Sequence, residues 1–482
     1  MSEVPPVTSD PDAPRVGVDE WVASAEERME RARGPLGFVR RAVEAIPPPL
    51  RLAVFVAFAA TLPLFLSSGD LFRYGLFTLL YALLGLGLNV TVGFAGLLDL
   101  GYVAFFGFGA YGYAILSSDI HGIHWPAEAA IPVVVAATAL LGLLLGLPSW
   151  RLLGDYLAIV TLFFGQAFVF FVNNANPRGL TGGANGIGDI DNMDVFGVKL
   201  TTDRDYYYFA LAMFVLVIAA LWSLIRSRTG RAWMALREDP LAAELMSVPV
   251  NRLKLLAFMF GASIAGLAGT IHAAALTGVA SGNYGVSVLI TIYAVVILGG
   301  AGSLTGVVLG AIVINVSYEI LTPATPDRAR ELFYAVILIA LLAKLRPWSR
   351  LVAVLGGTAA FGFLVHALAT SASATATNGE VISGGWLGGA IKSWVVVPLH
   401  PGKLPDYAYL ALIAAVIVVT QLHGWWRTLA LVPTLYLVAL VWENLLIQQP
   451  AVTRLVLFGA LLIGLMNVRP QGLLGTARVE IV

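Results

Sequence analysis

Along the chain, long apolar runs alternate with short polar breaks, and the runs are membrane-length rather than core-length. A helix that crosses a bilayer needs roughly 20 mostly apolar residues. The pattern predicts about fourteen spans, near 51–67, 71–93, 96–116, 129–148, 157–173, 207–226, 253–277, 286–300, 304–321, 333–346, 350–368, 407–422, 426–447 and 454–468. Several are short or broken by Gly, as half-helices and re-entrant segments are where protein buries them. The expected fold is an all-α, polytopic transmembrane helix bundle.

Basic residues set the orientation, because Lys and Arg accumulate in cytoplasmic loops. Arg40, Arg41 and Arg51 precede the first run, and Arg151 separates the fourth from the fifth. Lys344, Arg346 and Arg350 follow the tenth, and Arg469 and Arg478 follow the last. With fourteen spans all of these share one side, which makes both termini cytoplasmic. The acid-rich stretch "DIDNMDVFGVKLTTDRD" and the polar loop near 370–406 then face outward.

Composition narrows the class further. The 482 residues are 58% hydrophobic and 12% charged, against about 25% charged in soluble domains. A formal net charge of zero gives no argument for nucleic acid. There is no Cys, hence no disulfide, thiolate site or cysteine nucleophile, and the six His show no H-x-x-x-H pair. The opening "MSEVPPVTSDPDAPRVGVDEW" is acidic and Pro-rich, unlike a secretory signal. The stretch from Glu20 to Ile46 reads as a charged amphipathic helix at the membrane surface, or as a solvated tail. The only Gly-Lys pair is Gly402-Lys403, where Val397 and Leu404 replace the Gly and Ser or Thr of a phosphate loop. No catalytic constellation is visible. The chain is expected not to be an enzyme and to bind no cofactor.

One polar segment interrupts the pattern with internal order. "SRTGRAWMALREDPLAAELMSVPVNRLK", residues 227–254, carries five basic residues and three acids between apolar runs. Asp239 before Pro240 is a helix start, with Asp as N-cap and Pro in the first turn. Leu241 with Leu245, and Ala242 with Met246, share a face at i,i+4 spacing. Pro249 ends it by pushing Val248 out of helical geometry. A helix of two turns is marginal alone and needs a partner. An ordinary topology-fixing loop has the same composition.

The order of residues resembles the integral-membrane permease subunits of ATP-binding cassette importers for branched-chain amino acids, and the related urea permeases. The resemblance rests on four stretches in the family's order, covering roughly residues 50 to 346. They are "LGLNVTVGFAGLLDLGYVAFFGFGAYGYAIL", "GDYLAIVTLFFGQAFVFFVNNANPRGLTGGANGI", the island running into "LKLLAFMFGASIAGLAGTIHA", and "AVVILGGAGSLTGVVLGAIVI". It implies that the island docks into a separate cytoplasmic ATPase that holds ATP-Mg, with Arg231, Arg237, Glu238, Asp239, Pro240, Leu241 and Glu244 as coupling residues. It also implies a second permease subunit or a second copy, an extracytoplasmic solute-binding protein, and a multi-pass place in a bacterial cytoplasmic membrane. The chain departs from the family at Asp99, Gln166 and "SVPV", which bears on the solute.

The candidate solute pathway comprises Asn89, Asp99, Gln166, Thr181, Gly182, Gly183 and Asn185. Asp99 is an acid in apolar sequence, which usually faces a cavity or partner. By the topology above it lies near a cytoplasmic helix end, where water could solvate it. Gln166 offers a donor and an acceptor mid-span, suited to bonding between helices. Glu319 and Glu443 near outer helix ends read as interfacial. Small pairs such as Ala262 with Gly266 and Ala265 with Gly269 suit close helix packing. The expected organisation is a polar and amphipathic segment over 1–50, a permease core over 51–346 and extra helices over 347–482. The rival function is an ion- or proton-coupled secondary transporter using Asp99.

Overall fold

The computed structural model describes residues 48–119, 122–150, 154–174, 180–320, 348–372, 385–400 and 402–446, with shorter stretches among 330–342, at 377–379, at 459 and at 472–474. The amphipathic helix expected before residue 47 lies outside the described residues, as do most of the spans expected at 333–346 and 454–468. The chain divides into two units, Met1–Phe65 and Leu66–Val482. In the first, α1 spans Pro48–Phe65, with Phe58, Leu64 and Phe65 exposed.

The second unit is a helix bundle. It comprises α2 (Ser68–Phe94), α3 (Tyr102–Leu116), α4 (Ala127–Gly146), α5 (Asp155–Asn174) and α6 (Asp203–Arg226). Two short helices follow, α7 (Arg228–Glu238) and α8 (Pro240–Leu245). Next come α9 (Val250–Leu276), α10 (Val286–Gly299) and α11 (Leu304–Ile320). The last are α12 (Trp348–Ala372), α13 (Gly385–Lys392), α14 (Leu404–Gln421) and α15 (Gly424–Val441). Among the described residues, nine helices are long and apolar enough to cross a membrane. Among the described residues four two-residue strands accompany them, paired antiparallel as β1–β2 (Ser117–Ser118 with Ile123–His124) and β3–β4 (Asp194–Val195 with Val198–Lys199).

Local chemistry places the helix ends. Thr202 caps α6 through a reciprocal pair: its Oγ1 accepts from the Asp205 N–H, and Asp205 Oδ2 accepts from the Thr202 N–H at 2.9 Å. The expected continuous span 96–116 is broken. Gly96 takes a left-handed φ of 70°, and the chain stays non-helical until Gly101. Asp99 Oδ1 accepts from the Gly101 N–H at 3.1 Å, a local bond that competes with helix formation and ends beside the first turn of α3.

The core is organised around α9, which packs along α2, α3 and α4. Glycine makes the closest of these approaches possible. A side chain on Gly109 of α3 would strike the backbone of Gly266, and one on Gly269 would strike the Phe106 carbonyl. Bare backbone meets bare backbone there, as in small-residue helix crossings generally. The expected pairing of Gly266 and Gly269 with small neighbours thus serves the α3–α9 contact, with Thr138 of α4 also against Gly266.

A second cluster gathers the C-terminal helices. Ile391, Val395, Tyr436 and Trp442 are among its buried members, with Phe361 of α12 packed against it. Phe333 and Tyr334 also join it, and Phe333 stacks on Trp442 at 3.8 Å between ring centroids. Farther on, the N–H groups of Leu473 and Leu474 donate to the carbonyls of Leu298 and Gly299, at 2.8 and 3.0 Å. This short C-terminal stretch lies against the end of α10.

Candidate functional site

Two ends of the bundle differ in chemistry. The end carrying α7 and α8 is the polar island. Ser227 Oγ caps α7 one residue after α6 stops, and Gly230 fits against the Ile225 backbone where a side chain would collide. Trp233 is fully buried, donates from Nε1 to the Leu253 carbonyl at 2.9 Å, and meets the Phe260 ring edge-on. This anchors α7 to the first turns of α9. Arg237 then reaches across and donates from Nη1 to the Gly93 carbonyl in the last turn of α2. Gly96 and Gly302 both lie against the Arg237 side chain. One guanidinium therefore sits where α2, the 95–101 segment and the turn before α11 converge.

The helix expected after Asp239 is present. Asp239 Oδ1 accepts from the Leu241 and Ala242 N–H groups at 2.8 and 3.0 Å, with Pro240 in the first turn. Ser247, at φ 63°, turns the chain toward Pro249. Ala243 faces inward, whereas Leu241, Leu245 and Met246 are 68%, 78% and 79% exposed. Arg231, Glu238, Asp239 and Glu244 are exposed around them. Soluble surfaces seldom spend three adjacent large apolar side chains this way.

Behind the island, α2 carries a π-turn over Asn89–Phe94, a feature frequent at functional sites. Asn89 is fully buried, and its Oδ1 accepts from the Gly302 N–H at 2.8 Å. Asp99 is fully buried too, which corrects the expectation of a solvated acid. It is enclosed because the 95–101 segment folds into the bundle: Thr161 Oγ1 of α5 accepts from the Leu100 N–H, and the Tyr293 hydroxyl of α10 donates to the Asp99 carbonyl at 2.6 Å. Asp99 Oδ2 has no hydrogen-bond partner among the described residues.

The remaining pathway candidates are dispersed. Gln166 is exposed on α5 and makes no side-chain hydrogen bond among the described residues, so it does not join two helices of this chain. Its face of the helix points away from the bundle. Thr181, Gly182 and Gly183 lie at the opposite end, where Thr181 Oγ1 donates to the Val172 carbonyl at 2.9 Å. Gly182 and Gly183 take left-handed φ values of 71° and 61°, and Asn185 is exposed. An isolated bridge between Ile187 and Val279 fixes this loop on the turn after α9. Nearby, His124 Nδ1 meets Asp191 Oδ2 at 2.5 Å, and Asp119 lies 3.5 Å from Nε2. That carboxylate pair raises the His124 pKa above its ordinary value, the Asp191 hydrogen bond being the larger cause.

Sequence reasoning missed a cavity of about 370 Å³. Its walls come from α2, α3, α9, α10 and α11, and include Phe77, Phe106, His272, Asn315, Tyr318 and Glu319. It lies in the half of the bundle away from the island. Helix α9 starts at the island and ends there, and α2 begins there beside α6, where Ser68 Oγ donates to Asp203 at 2.5 Å. The sequence signals were Asn315 in the apolar run "GAIVINVSYEI" and Glu319, which read as interfacial. Glu443, expected at an interface, is instead buried and bonded to Arg330. It is enclosed by the C-terminal cluster.

A bundle of membrane-length helices with a structured polar island at one end and a cavity reaching the other is a polytopic membrane transport component. Residues 71–344 match the model of the family described as branched-chain amino acid transport system / permease component, and this chain belongs to that family. It is 34% identical over 322 residues to the high-affinity branched-chain amino acid transport system permease protein LivM of Escherichia coli strain K12, covering 61% of this chain and 74% of LivM. It is 25% identical over 194 residues to LivH of Salmonella typhimurium strain LT2, covering 40% of this chain and 62% of LivH. Similarity extends to the fructose import permease protein FruG of Bifidobacterium longum, 26% identical over 235 residues, covering 45% and 66%. No solved structure matches the chain.

Proposed function

We propose that this chain is a permease subunit of an ATP-driven importer for branched-chain or other small amino acids, seated in the cytoplasmic membrane of a bacterium. Its island faces the cytoplasm and docks α8 into a separate ATPase subunit, which holds ATP-Mg. A second permease subunit or a second copy completes the membrane part, and an extracytoplasmic protein delivers solute to the opposite end. Fourteen spans with both termini cytoplasmic suit this arrangement. The observation that carries the reading is the capped, outward-facing Leu241–Leu245–Met246 surface, tied through Arg237 to the end of α2. An apolar face with a charged rim matches the anatomy of protein interfaces. ATPase closure would pull on the island and rock the helices joined to it.

The test is reconstitution with the ATPase and solute-binding subunits, measuring uptake of leucine, isoleucine, valine and fructose. ATP-dependent uptake of a branched-chain amino acid supports the reading. Leu241→Pro or Glu244→Arg should abolish ATPase binding or separate hydrolysis from uptake. Uptake that survives ATP depletion and collapses with an uncoupler would instead identify an ion-coupled transporter.

A further inference from the structure

Helix α10 ends at Gly299, and the carbonyls of its last turn must find donors outside the regular helix. Two bonds at this end are local. The Gly300 N–H donates to the Val296 carbonyl at 2.9 Å, and the Ser303 N–H donates to the Gly300 carbonyl at 3.2 Å. The Leu298 and Gly299 carbonyls are met from the far end of the chain, where the Leu473 and Leu474 N–H groups donate to them at 2.8 and 3.0 Å. Gly472 makes that approach possible. It is buried at a left-handed φ of 76°, and a side chain there would strike the Ile297 carbonyl and the Gly300 backbone. Leu474 is 51% exposed, so its backbone rather than its side chain makes the attachment.

The turn closed in this way is the one the island grips. The Gly302 N–H donates to Asn89 Oδ1 at 2.8 Å, and a side chain on Gly302 would meet the Arg237 guanidinium. Arg237 in turn donates to the Gly93 carbonyl, within the same π-turn as Asn89. The π-turn of α2, the island and residues 472–474 therefore converge on residues 298–302. That turn has little stiffness of its own. Gly300 and Gly302 both take left-handed φ values, 109° and 87°, and glycine is the residue least restrained there. A displacement of Arg237 that met an uncapped helix end and a two-glycine turn would be taken up by local rotation, since a few such residues suffice to absorb a φ/ψ change. A capped end moves with its helix.

We infer that Gly472–Leu474 is a positioning brace for energy coupling. It caps α10 and fixes the turn before α11, so that movement of the island reaches α2 and α10 instead of being lost in residues 300–302. These residues act through the turn and not on the solute. The brace rests on the ATP-driven reading above and adds to it a stretch beyond residues 71–344, the part that matches the permease family.

The experiment compares Gly472→Ala, Leu474→Pro and Leu474→Ala with wild type in the complete transporter in nanodiscs. Leu474→Pro removes one of the two donors, whereas Leu474→Ala keeps it. Three quantities are read: ATPase copurification, L-leucine taken up per ATP hydrolysed, and amide exchange over residues 294–306. Gly472→Ala and Leu474→Pro should retain the ATPase, exchange faster over 294–306, and lose about threefold or more of the uptake per ATP. Leu474→Ala should match wild type in all three. Faster exchange with unchanged uptake per ATP would make the stretch a plain helix cap and overturn the brace. So would unchanged exchange in Gly472→Ala. A Leu474→Ala defect equal to that of Leu474→Pro would also overturn it, since side-chain packing would then be the cause. If uptake falls only in step with the amount of ATPase retained, assembly and not coupling is affected, and the brace fails again. A wild type that takes up no L-leucine with ATP fails the permease reading and the brace with it, a result told apart from the others because it needs no variant.

Discussion

Arg330 and Glu443 form a buried, two-pronged ion pair, with Nε to Oε1 and Nη2 to Oε2 both at 3.0 Å. Both side chains are 1% exposed. The Tyr334 hydroxyl adds a third contact to Oε1 at 3.4 Å. The pair joins the residues just before Phe333 to the end of α15, so it closes the C-terminal cluster on itself. Removing one charge strands the other without water. Glu443→Gln should cost about 3–5 kcal/mol, whereas Arg330→Met with Glu443→Leu should recover most of that loss. Thermal unfolding of the detergent-solubilised protein reads both. Equal stability of the single and double variants would show that the stranded Arg330 charge costs nothing.

The same contacts bear on truncation after Arg350. That cut removes Glu443 and also Leu473 and Leu474, which donate to the carbonyls at the end of α10. A chain ending at 350 should therefore lose yield and stability, and Arg330→Met in that background should restore part of it. Unchanged melting of the truncated chain, with Arg330 retained, would refute this.

Arg237 ties the island to the end of α2, and other side chains present it outward. Arg237→Met should leave the ATPase bound, because the α8 face is untouched, yet lower the uptake obtained per ATP hydrolysed. A lost charged hydrogen bond amounts to about 1.5–3 kcal/mol of positioning. Leu245→Asp should instead prevent ATPase copurification. The two variants failing in the same way would argue against separate holding and docking roles.

His124 gives a pH-dependent clasp at the other end. Its folded pKa is raised, so the protonated form is favoured in the folded loop. The clasp is complete below the ordinary value, about 6.5, and is lost as pH rises through the folded pKa. Protease cleavage between Asp189 and Leu200 should accelerate as pH rises above the ordinary histidine value of about 6.5 and through the raised folded pKa, and His124→Ala should be fast throughout. A pH-independent wild-type rate would contradict the clasp.

Single cysteines test the sidedness directly, because the chain has no native Cys. Cys at Ala242 should react with an impermeant reagent only from the cytoplasmic side, and Cys at Val198, in the exposed β3–β4 turn region, only from outside. Labelling of both from one side would require a different number of crossings between them.

Much of the architecture was legible because it is written locally. The α6 run and the Asp239–Pro240 start each depend on neighbours a few residues away, whereas the stop expected at Pro249 comes earlier, at Leu245, with Ser247 left-handed and Pro249 standing at the start of α9. What escaped depends on partners far along the chain. Asn89 finds the Gly302 N–H, Asn315 finds the Arg73 carbonyl, and Glu443 finds Arg330, and no periodicity records such meetings. Asp99 was recognised as unusual, but its enclosure depends on how residues 95–101 fold against α5 and α10. Gln166 illustrates the opposite error: a polar residue within a span need not face a neighbour in its own chain.

The contact of Arg237 with Gly93, Gly96 and Gly302 constrains anyone who would rewire this protein to a different motor. The island looks portable as a stretch of sequence, since it begins at the Ser227 cap and Pro249 marks the start of α9. Its grip, however, is distributed over two distant stretches of the chain: Arg237 donates to the Gly93 carbonyl, a side chain on Gly96 would strike the Arg237 stem, and one on Gly302 would strike its guanidinium. A chimera that transplants residues 227–254 alone would carry the plug without the socket. Grafts that exchange the 89–101 and 299–303 segments together with the island should retain coupling where the simple swap loses it.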